Sequence, residues 1–459
     1  MAFDLVVRTR PCFRTASPLG GSPPASIGRY EGFDWTDFRL QLDAMPAASL
    51  HPRFVRPRLS EALGDSPAVL VHGPRQCGKT TLARAVGDAA GFSYLSFDDD
   101  VLRASAQADP MGFVADLPGK AVLDEIQRVP ELFTALKAAI DRDRRPGRFI
   151  LTGSANVLLL PRLADSLAGR MEILRLHPLS QAELAGKPPD FLDALFGEGF
   201  KGGPRARLGA ELAERIAAGG YPAALARPVA RRRATWYRDY IDTLVQRDVR
   251  DVAQINSLAA LPRLLTLAAG QTARLLNVSD LAAPFQLSRP TIRDYVTLLA
   301  RIFLLEELPP WHTNRLSRLI KTPKLHLGDT GLACALLGVD ADALAADRPM
   351  LGHLLETFVF QELRKQASWR EEPIAFHHFR DKEGVEVDIV LEGARQRVAG
   401  IEVKASATVT AADFKGLRKL QASTGRRFAA GVVLYDGEAT ARFGDQLFAV
   451  PVRRLWEAA

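Results

Sequence analysis

The segment "HGPRQCGKTT", residues 72–81, constrains the fold of this chain more than any other stretch. It places Gly73, four residues, Gly78, Lys79 and Thr80 in one short loop. Glycines at this spacing let the backbone turn so that its N–H groups converge on phosphate oxygens. The apolar run "AVLV" precedes the loop, and "TTLARAVGDAA" follows it with the pattern of a helix whose N-terminal dipole favours an anion. The sequence therefore predicts a strand, a phosphate-binding loop and a helix, in this order.

The residues of this loop have separate expected roles. Lys79 is expected to reach the β and γ phosphates of ATP, and the hydroxyl of Thr80 is expected to bind Mg²⁺. ATP and Mg²⁺ are thus the predicted cofactors. The predicted nucleotide-binding residues are Gly73, Pro74, Arg75, Gln76, Cys77, Gly78, Lys79, Thr80 and Thr81.

Apolar runs of strand length alternate with helical stretches between about residues 67 and 180. The runs are "AVLVHG", "FSYLSFD", "KAVLDEI", "RFILTGS" and "MEILRL". This alternation predicts an α/β core, a parallel sheet covered by helices on both faces. Ligands of such sheets bind at the carboxyl ends of the strands, so polar residues that follow a strand are the candidates for chemistry.

Two strand ends carry such residues. "AVLDEIQ" ends in Asp124, which would hold magnesium through water, and Glu125, which would polarise the attacking water. "RFILTGSANVLL" brings Thr152, Ser154 and Asn156 towards the γ-phosphate, where Ser154 or Asn156 would position the attacking water. The alternative for each segment is an ordinary polar strand end.

Arg170 lies in "SLAGRMEIL", directly before the last of these runs. An arginine at this place can project from one subunit into the ATP site of a neighbour. Such a role requires copies of the chain to meet, so a homo-oligomer is a candidate partner. The alternative is a surface arginine.

The middle of the chain, residues 205–310, is rich in Leu, Ala and Arg at helical spacing. Between residues 277 and 308, Ser279 and Ser288 can each cap a helix, with a turn near residues 285–287, as in a winged helix-turn-helix. The second helix would offer Arg289, Thr291 and Arg293 to DNA. Winged helices also serve as protein contacts or ATPase lids, and these alternatives stay open.

Strand signals return after about residue 350 and predict a third, α/β unit. Asp388 lies in one strand, and Glu402 and Lys404 share one face of the next. Antiparallel pairing would let the carboxylates hold a divalent metal for phosphodiester hydrolysis while the lysine stabilises charge. Glu356, on an apolar helix stripe, is the fourth candidate of this second site. The alternatives are a hairpin of solvated charges and a nuclease-like fold without activity.

Length and composition limit the number of domains, the partners and the compartment that can be expected for this chain. The 459 residues correspond to roughly three domains, and a net charge of +7 permits nucleic-acid binding without demonstrating it. The three cysteines lie far apart, which indicates a reducing compartment, and no apolar run has the length of a membrane helix. We therefore expect a cytoplasmic protein with no membrane partner.

Residues 1–50 have the composition of a flexible leader. Met45 is a candidate natural start, and translation from it would exclude residues 1–44.

Four segments, "GPRQCGKTT", "VLDEIQ", "LTGSAN" and "SLAGRM", stand in the order and spacing of one ATPase family. With "GGYPAAL", "YIDTLVQRDVRD", "LHLGDTGLA" and "FRDKEGVEVD", they resemble the prokaryotic AAA+ family ATPases that carry a C-terminal domain of unknown function with a nuclease-like fold. The resemblance runs from about residue 54 to residue 457. It implies ATP binding and hydrolysis by an AAA+ core. The cluster at residues 388–404 also resembles the PD-(D/E)XK nuclease pattern, with Val387 in place of the proline.

The expected architecture has four parts. They are a leader at residues 1–50, a P-loop AAA+ parallel-sheet core at 51–200, a helical lid and winged-helix-like region at 201–345, and a restriction-endonuclease-like α/β domain at 346–459. The expected function is Mg²⁺-dependent ATP hydrolysis coupled to a further task, with DNA as a candidate partner. Two alternatives are a nucleotide-gated DNA- or protein-binding module with little turnover and a metal-dependent nuclease regulated by ATP.

Overall fold

The first five apolar runs form one parallel sheet, as the alternation of strands and helices predicts. A computed structural model describes residues 51–154, 169–248, 259–285, 287–313 and 322–458. The predicted leader, the candidate start at Met45, and Asn156 lie outside these described residues. The strands are β1 (Ala68–His72), β2 (Ser93–Ser96), β3 (Ala121–Asp124), β4 (Phe149–Gly153) and β5 (Met171–Arg175), in the order β2-β3-β4-β1-β5.

Helices cover both faces of this sheet. They are α1 (Arg56–Asp65), α2 (Lys79–Gly87), α3 (Asp100–Ala108), α4 (Pro110–Ala115) and α5 (Leu132–Arg142). Side chains alternate along a strand, so Leu70 and Leu151 enter one apolar cluster while Val69 and Ile150 enter another on the opposite face. Strands β1, β3 and β4 are buried throughout, and their carboxyl ends meet at one edge of the sheet.

The middle of the chain is helical, as predicted, but it also contains a small antiparallel sheet that the periodicity does not predict. Its helices are α6 (Gln181–Ala185), α7 (Phe191–Phe196), α8 (Ala210–Ala218), α9 (Pro222–Leu225), α10 (Ala230–Thr243), α11 (Ala260–Gly270), α12 (Val278–Ala282) and α13 (Arg289–Arg301). Strands β6 (Arg274–Leu275), β7 (Leu305–Leu308) and β8 (Lys324–Leu327) pair in the order β6-β8-β7.

The caps of α12 and α13 differ in how well the sequence predicts them. Ser288 caps α13, since its hydroxyl accepts a hydrogen bond from the N–H of Thr291 at 3.2 Å. The cap of α12 is Asn277 and not Ser279, because the Asn277 side chain accepts from the N–H of Ser279 at 3.0 Å. Ser279 therefore lies inside the first turn.

The last part of the chain adds a six-stranded mixed sheet with the order β13-β14-β12-β11-β10-β9. The strands are β9 (Ala375–Arg380), β10 (Glu386–Glu392), β11 (Val398–Lys404), β12 (Phe428–Tyr435), β13 (Ala441–Gly444) and β14 (Leu447–Pro451). The helices are α14 (Thr330–Leu337), α15 (Ala341–Ala346), α16 (Arg348–Ser368) and α17 (Lys415–Thr424). These strands and helices agree with the α/β unit that the strand signals after about residue 350 predict.

Helix α16 is buried along most of its length and its polar side chains bind several other elements. Gln361 donates to the carbonyl of Leu327 at 2.8 Å, and Lys365 donates to the carbonyl of Leu179 at 3.0 Å. One apolar cluster extends from Ala182 to Trp456 around this helix. Among the described residues, no helix is both long and apolar enough to cross a membrane.

Candidate nucleotide-binding site

Gly73 and Gly78 shape the loop between β1 and α2. A Cβ atom on Gly73 would lie 2.0 Å from the carbonyl oxygen of Leu176, so a larger residue requires the backbone to move. Gly78 has a φ of 101°, a left-handed conformation that favours glycine, and α2 begins directly after it. The close contact with Leu176 therefore requires a glycine at Gly73, and the left-handed backbone favours one at Gly78.

Side chains from outside the loop hold two of its carbonyl oxygens. The Tyr240 hydroxyl, on α10, donates to the carbonyl of Arg75 at 3.0 Å, and Arg53 Nη1 donates to the carbonyl of Cys77 at 2.7 Å. A trans peptide points its C=O and N–H in opposite directions. These contacts therefore turn the N–H groups of Gln76 and Gly78 away from Tyr240 and Arg53.

Lys79 and Thr80 begin helix α2 at the predicted positions. Lys79 is buried, and its Nζ donates to the carbonyl of Pro74 at 2.9 Å. The hydroxyl of Thr80 donates to Asp124 Oδ1 at 2.9 Å, which joins the loop to the end of β3. Thr81 follows on the exposed side of the helix.

The pair formed by Thr80 and Asp124 has the chemistry of a magnesium site. Mg²⁺ prefers hard oxygen ligands, and here a hydroxyl and a carboxylate lie side by side. Asp124 is only 3% exposed and also accepts hydrogen bonds from Tyr94, at 2.8 Å, and from Thr152. The residues fit the ion, and Thr80 and Asp124 would hold it.

Glu125 lies next to this pair and is held in an unusual backbone conformation. Its φ is 56°, and its N–H donates to the Thr152 hydroxyl at 3.0 Å. Ser154 donates to Glu125 Oε2 at 3.0 Å, and the Gln127 amide donates to the same oxygen. Burial raises the pKa of Glu125, but Lys79 and these two hydrogen bonds outweigh it, and the net pKa lies below its ordinary value. The carboxylate is therefore ionised and able to orient a water molecule.

Sequence reasoning missed several residues of this site. Gln127 is part of the segment "VLDEIQ", and Tyr240 begins "YIDTLVQRDVRD", yet neither pattern indicates a contact. Arg53 and Tyr94 have no sequence signal, because their partners are a backbone carbonyl and a carboxylate distant in the chain.

Arg170 is paired within its own chain. Its Nε donates to Asp141 Oδ1 at 2.8 Å, and its Nη2 donates to Asp141 Oδ2 at 3.0 Å. Asp141 lies on α5, so this pair connects the start of β5 to a helix on one face of the sheet. The intersubunit role of Arg170 stays a prediction.

The predicted second site is assembled, but with an additional residue. Lys324, on β8, donates to Glu356 Oε1 at 2.8 Å and to Asp388 Oδ1 at 3.2 Å. Lys404 donates to Glu402 Oε1 at 3.0 Å. We call these five residues the acid-lysine cluster.

The acid-lysine cluster does not fit a divalent metal ion. Its carboxylates are bound to the two ammonium groups, and among the described residues no group of three or more His, Cys, Asp or Glu side chains is arranged to hold a metal. Burial, followed by the charge of Asp388, raises the pKa of Glu356 to about 8 and shifts that of Glu402 in the same direction.

The fold and the loop define a P-loop ATPase core, and the comparisons with known proteins agree. The chain matches an AAA domain over residues 65–185, a domain of unknown function (DUF8612) over residues 209–343, and another domain of unknown function (DUF4143) over residues 351–455. The protein therefore carries an AAA-type nucleotide-binding domain.

Two relatives define its family. The uncharacterized proteins Rv2008c of Mycobacterium tuberculosis and Mb2031c of Mycobacterium bovis are each 31% identical to it over 401 residues. The match covers 87% of this chain and 83% of each relative. The chain belongs to the family of these two mycobacterial proteins.

Similar solved structures include a Walker-type ATPase of Pyrococcus abyssi and the Holliday junction branch migration motor RuvB of Thermotoga maritima. The first is 15% identical, with a TM-score of 0.40, and the match covers 63% of this chain and 97% of that chain. The second is 19% identical, with a TM-score of 0.27, and the match covers 56% of this chain and 89% of that chain. At such scores the likeness carries no functional argument.

Proposed function

We propose that the chain binds ATP together with Mg²⁺ and hydrolyses it. The observation that carries this proposal is the place of Glu125, whose ionised carboxylate lies beside the Thr80–Asp124 pair and within the electrostatic influence of Lys79. A phosphate loop, a magnesium pair and a carboxylate for the attacking water are the parts that phosphoryl transfer to water requires.

Each of these side chains has one task in the reaction. Lys79 exchanges its contact with the Pro74 carbonyl for the β and γ phosphates, and the loop N–H groups bind phosphate oxygens. Bound Mg²⁺ neutralises charge that develops on the phosphates. Glu125 orients the attacking water, while Ser154 and Gln127 hold the carboxylate in place.

The test is steady-state ATP hydrolysis by the full chain with Mg²⁺, together with a separate measurement of ATP binding. We expect Glu125→Gln to bind ATP as the wild type does and to lose turnover by about 10²-fold or more, because the carboxylate acts on water and not on the nucleotide. Lys79→Ala is expected to lose binding itself. The matched control is Glu131→Gln, the same change at an exposed position.

The outcomes separate the candidate functions. Turnover by Glu125→Gln equal to that of the wild type would rule out the proposed role of this carboxylate. Tight ATP binding with negligible wild-type turnover would favour a nucleotide-gated binding module.

We also propose that the middle of the chain contains a winged helix that contacts DNA. The order α11, β6, α12, α13, β7, β8, with the three strands in one antiparallel sheet, supports the winged-helix assignment. Helix α13 buries Ile292 and Val296 and exposes Arg289 and Arg293. Arg293 Nη1 lies 3.9 Å from Glu307 Oε1, and the two exposed guanidinium groups support contact with phosphates.

For the C-terminal part, we propose a restriction-endonuclease-like fold. Helix α16 is followed by the antiparallel strands β9, β10 and β11, and then by helix α17 and the parallel strand β12. This order supports the assignment of the fold, and the fold alone does not imply cleavage.

A further inference from the structure

Lys324 is a buried lysine whose side chain ends between two carboxylates. Its side chain is 5% exposed, and its Nζ lies 2.8 Å from Glu356 Oε1 and 3.2 Å from Asp388 Oδ1. A buried ammonium is stable only when it is paired and hydrogen-bonded, and both conditions hold here. Lys324 is therefore held by hydrogen bonds to both carboxyl groups and brings a positive charge between them.

Two other oxygen atoms of the acid-lysine cluster also have partners, whereas the buried Glu402 Oε2 accepts no hydrogen bond from the described residues. Asp388 Oδ2 accepts a hydrogen bond from the N–H of Val403 at 2.9 Å, and Glu402 Oε1 is paired with Lys404. A divalent ion would need several of these oxygens at about 2.0–2.6 Å, and like charge would repel it from Lys324.

Strand β8, which carries Lys324, is fixed on helix α16 by its neighbouring residues. His326 Nδ1 lies 3.1 Å from the Thr357 hydroxyl, and the Leu327 carbonyl accepts from Gln361 at 2.8 Å. Glu356, Thr357 and Gln361 all lie on α16. The ammonium group of Lys324 is thus positioned by a strand of the middle region that packs on α16, and not by a flexible surface segment.

We propose that Lys324 is the built-in cation of the acid-lysine cluster and that it excludes divalent metal ions from the place where a metal-dependent nuclease of this fold would bind them. The cluster then connects strand β8 to the C-terminal sheet through hydrogen bonds between charged side chains. This inference rests on the proposed restriction-endonuclease-like fold and is independent of the proposed ATPase reaction.

The experiment counts Mn²⁺ bound to the nucleotide-free full chain by electron paramagnetic resonance of free Mn²⁺. Any Mn²⁺ that binds at the Thr80–Asp124 pair contributes equally in every variant, because none of the substitutions lies there. We expect Asp388→Asn to bind as many ions as the wild type, because no ion is bound at Asp388. We expect Lys324→Met, which keeps much of the side-chain volume, to gain one ion per chain, and Lys324→Met with Asp388→Asn to lose that ion again.

The matched control is Lys365→Met, since Lys365 is a buried lysine paired with Glu362 at 2.8 Å outside the cluster, and it should gain no ion. A loss of Mn²⁺ in Asp388→Asn relative to the wild type would overturn the proposal. So would a Lys324→Met protein with a cooperative thermal unfolding transition that gains no ion. If Lys324→Met does not fold, the comparison of the wild type with Asp388→Asn still decides whether the native cluster binds a metal ion.

Discussion

His72 ends strand β1 directly before the phosphate loop, and its environment keeps the imidazole neutral. The side chain is 6% exposed, and its ring packs edge-on against Phe303 with the centroids 5.7 Å apart. Burial, together with the charges of Arg175 and Lys79, lowers the pKa of His72 to about 3. The residue therefore adds no positive charge of its own beside the loop.

This shift predicts a loss of stability in acid. Between about pH 6.5 and pH 3 the unfolded chain binds a proton at His72 that the folded chain does not bind, so the free energy of unfolding falls as the pH falls. One such group contributes at most about 1.4 kcal/mol per pH unit in that window. His72→Asn is expected to reduce the pH dependence, measured by urea unfolding at several pH values, whereas the exposed His51→Asn is expected to leave it unchanged. An unaltered slope in His72→Asn would contradict the prediction.

At the scale of elements, predictability follows the length and regularity of the apolar pattern. The five strands of the first sheet have only four or five residues each, but they recur between helical stretches, and each was predictable from this alternation. Strand β6 has only two residues, and β8, "KLHL", places a lysine and a histidine among its four, so neither forms an apolar run that could be recognised. The acid-lysine cluster was predictable in part, because residues on paired strands share a face, while Lys324 enters from a strand that the pattern did not indicate.

Helix α13 leads to a prediction about DNA. The double variant Arg289→Ala, Arg293→Ala is expected to bind duplex DNA about tenfold or more weakly at moderate salt, and the slope of log affinity against log salt is expected to fall by about 2, one unit for each lost phosphate contact. Fluorescence anisotropy with a labelled duplex at several salt concentrations measures both quantities.

The matched control for this experiment is Arg231→Ala, Arg232→Ala, which removes the same charge from exposed positions at the start of α10. Equal losses in the two double variants would show that only the overall charge matters, and the assignment of α13 as the DNA-contacting helix would then fail.

At the scale of the whole molecule, contacts connect the phosphate loop to the regions downstream of it. Tyr240 bonds the Arg75 carbonyl and lies 3.3 Å, oxygen to oxygen, from the hydroxyl of Tyr221. The N–H of Gly220, next to Tyr221, donates to Asp329 at 2.8 Å. These residues belong to four of the segments that carry the family resemblance. The sequence could not indicate that they converge, because a hydroxyl-to-carbonyl contact leaves no periodic pattern.

Arg170 provides the prediction at this scale. If it completes the ATP site of a neighbouring copy, the turnover per chain rises with protein concentration, and Arg170→Ala lowers the maximal turnover by about 10³-fold or more without loss of ATP binding. Arg144→Ala is the matched control, because Arg144 also pairs with Asp141 but is more exposed. Turnover that does not depend on concentration and is unaffected in Arg170→Ala would assign Arg170 to the Asp141 pair alone.

The buried helix α16 has a consequence for how such a protein can be divided. A chain that ended before Arg348 would leave the carbonyls of Leu179 and Leu327 and the N–H of Gln181 without their partners from this helix, and it would uncover the apolar wall that the helix covers. Neither part is then expected to fold stably by itself. We therefore expect genomes to gain, lose and transfer the ATPase core and the C-terminal sheet together.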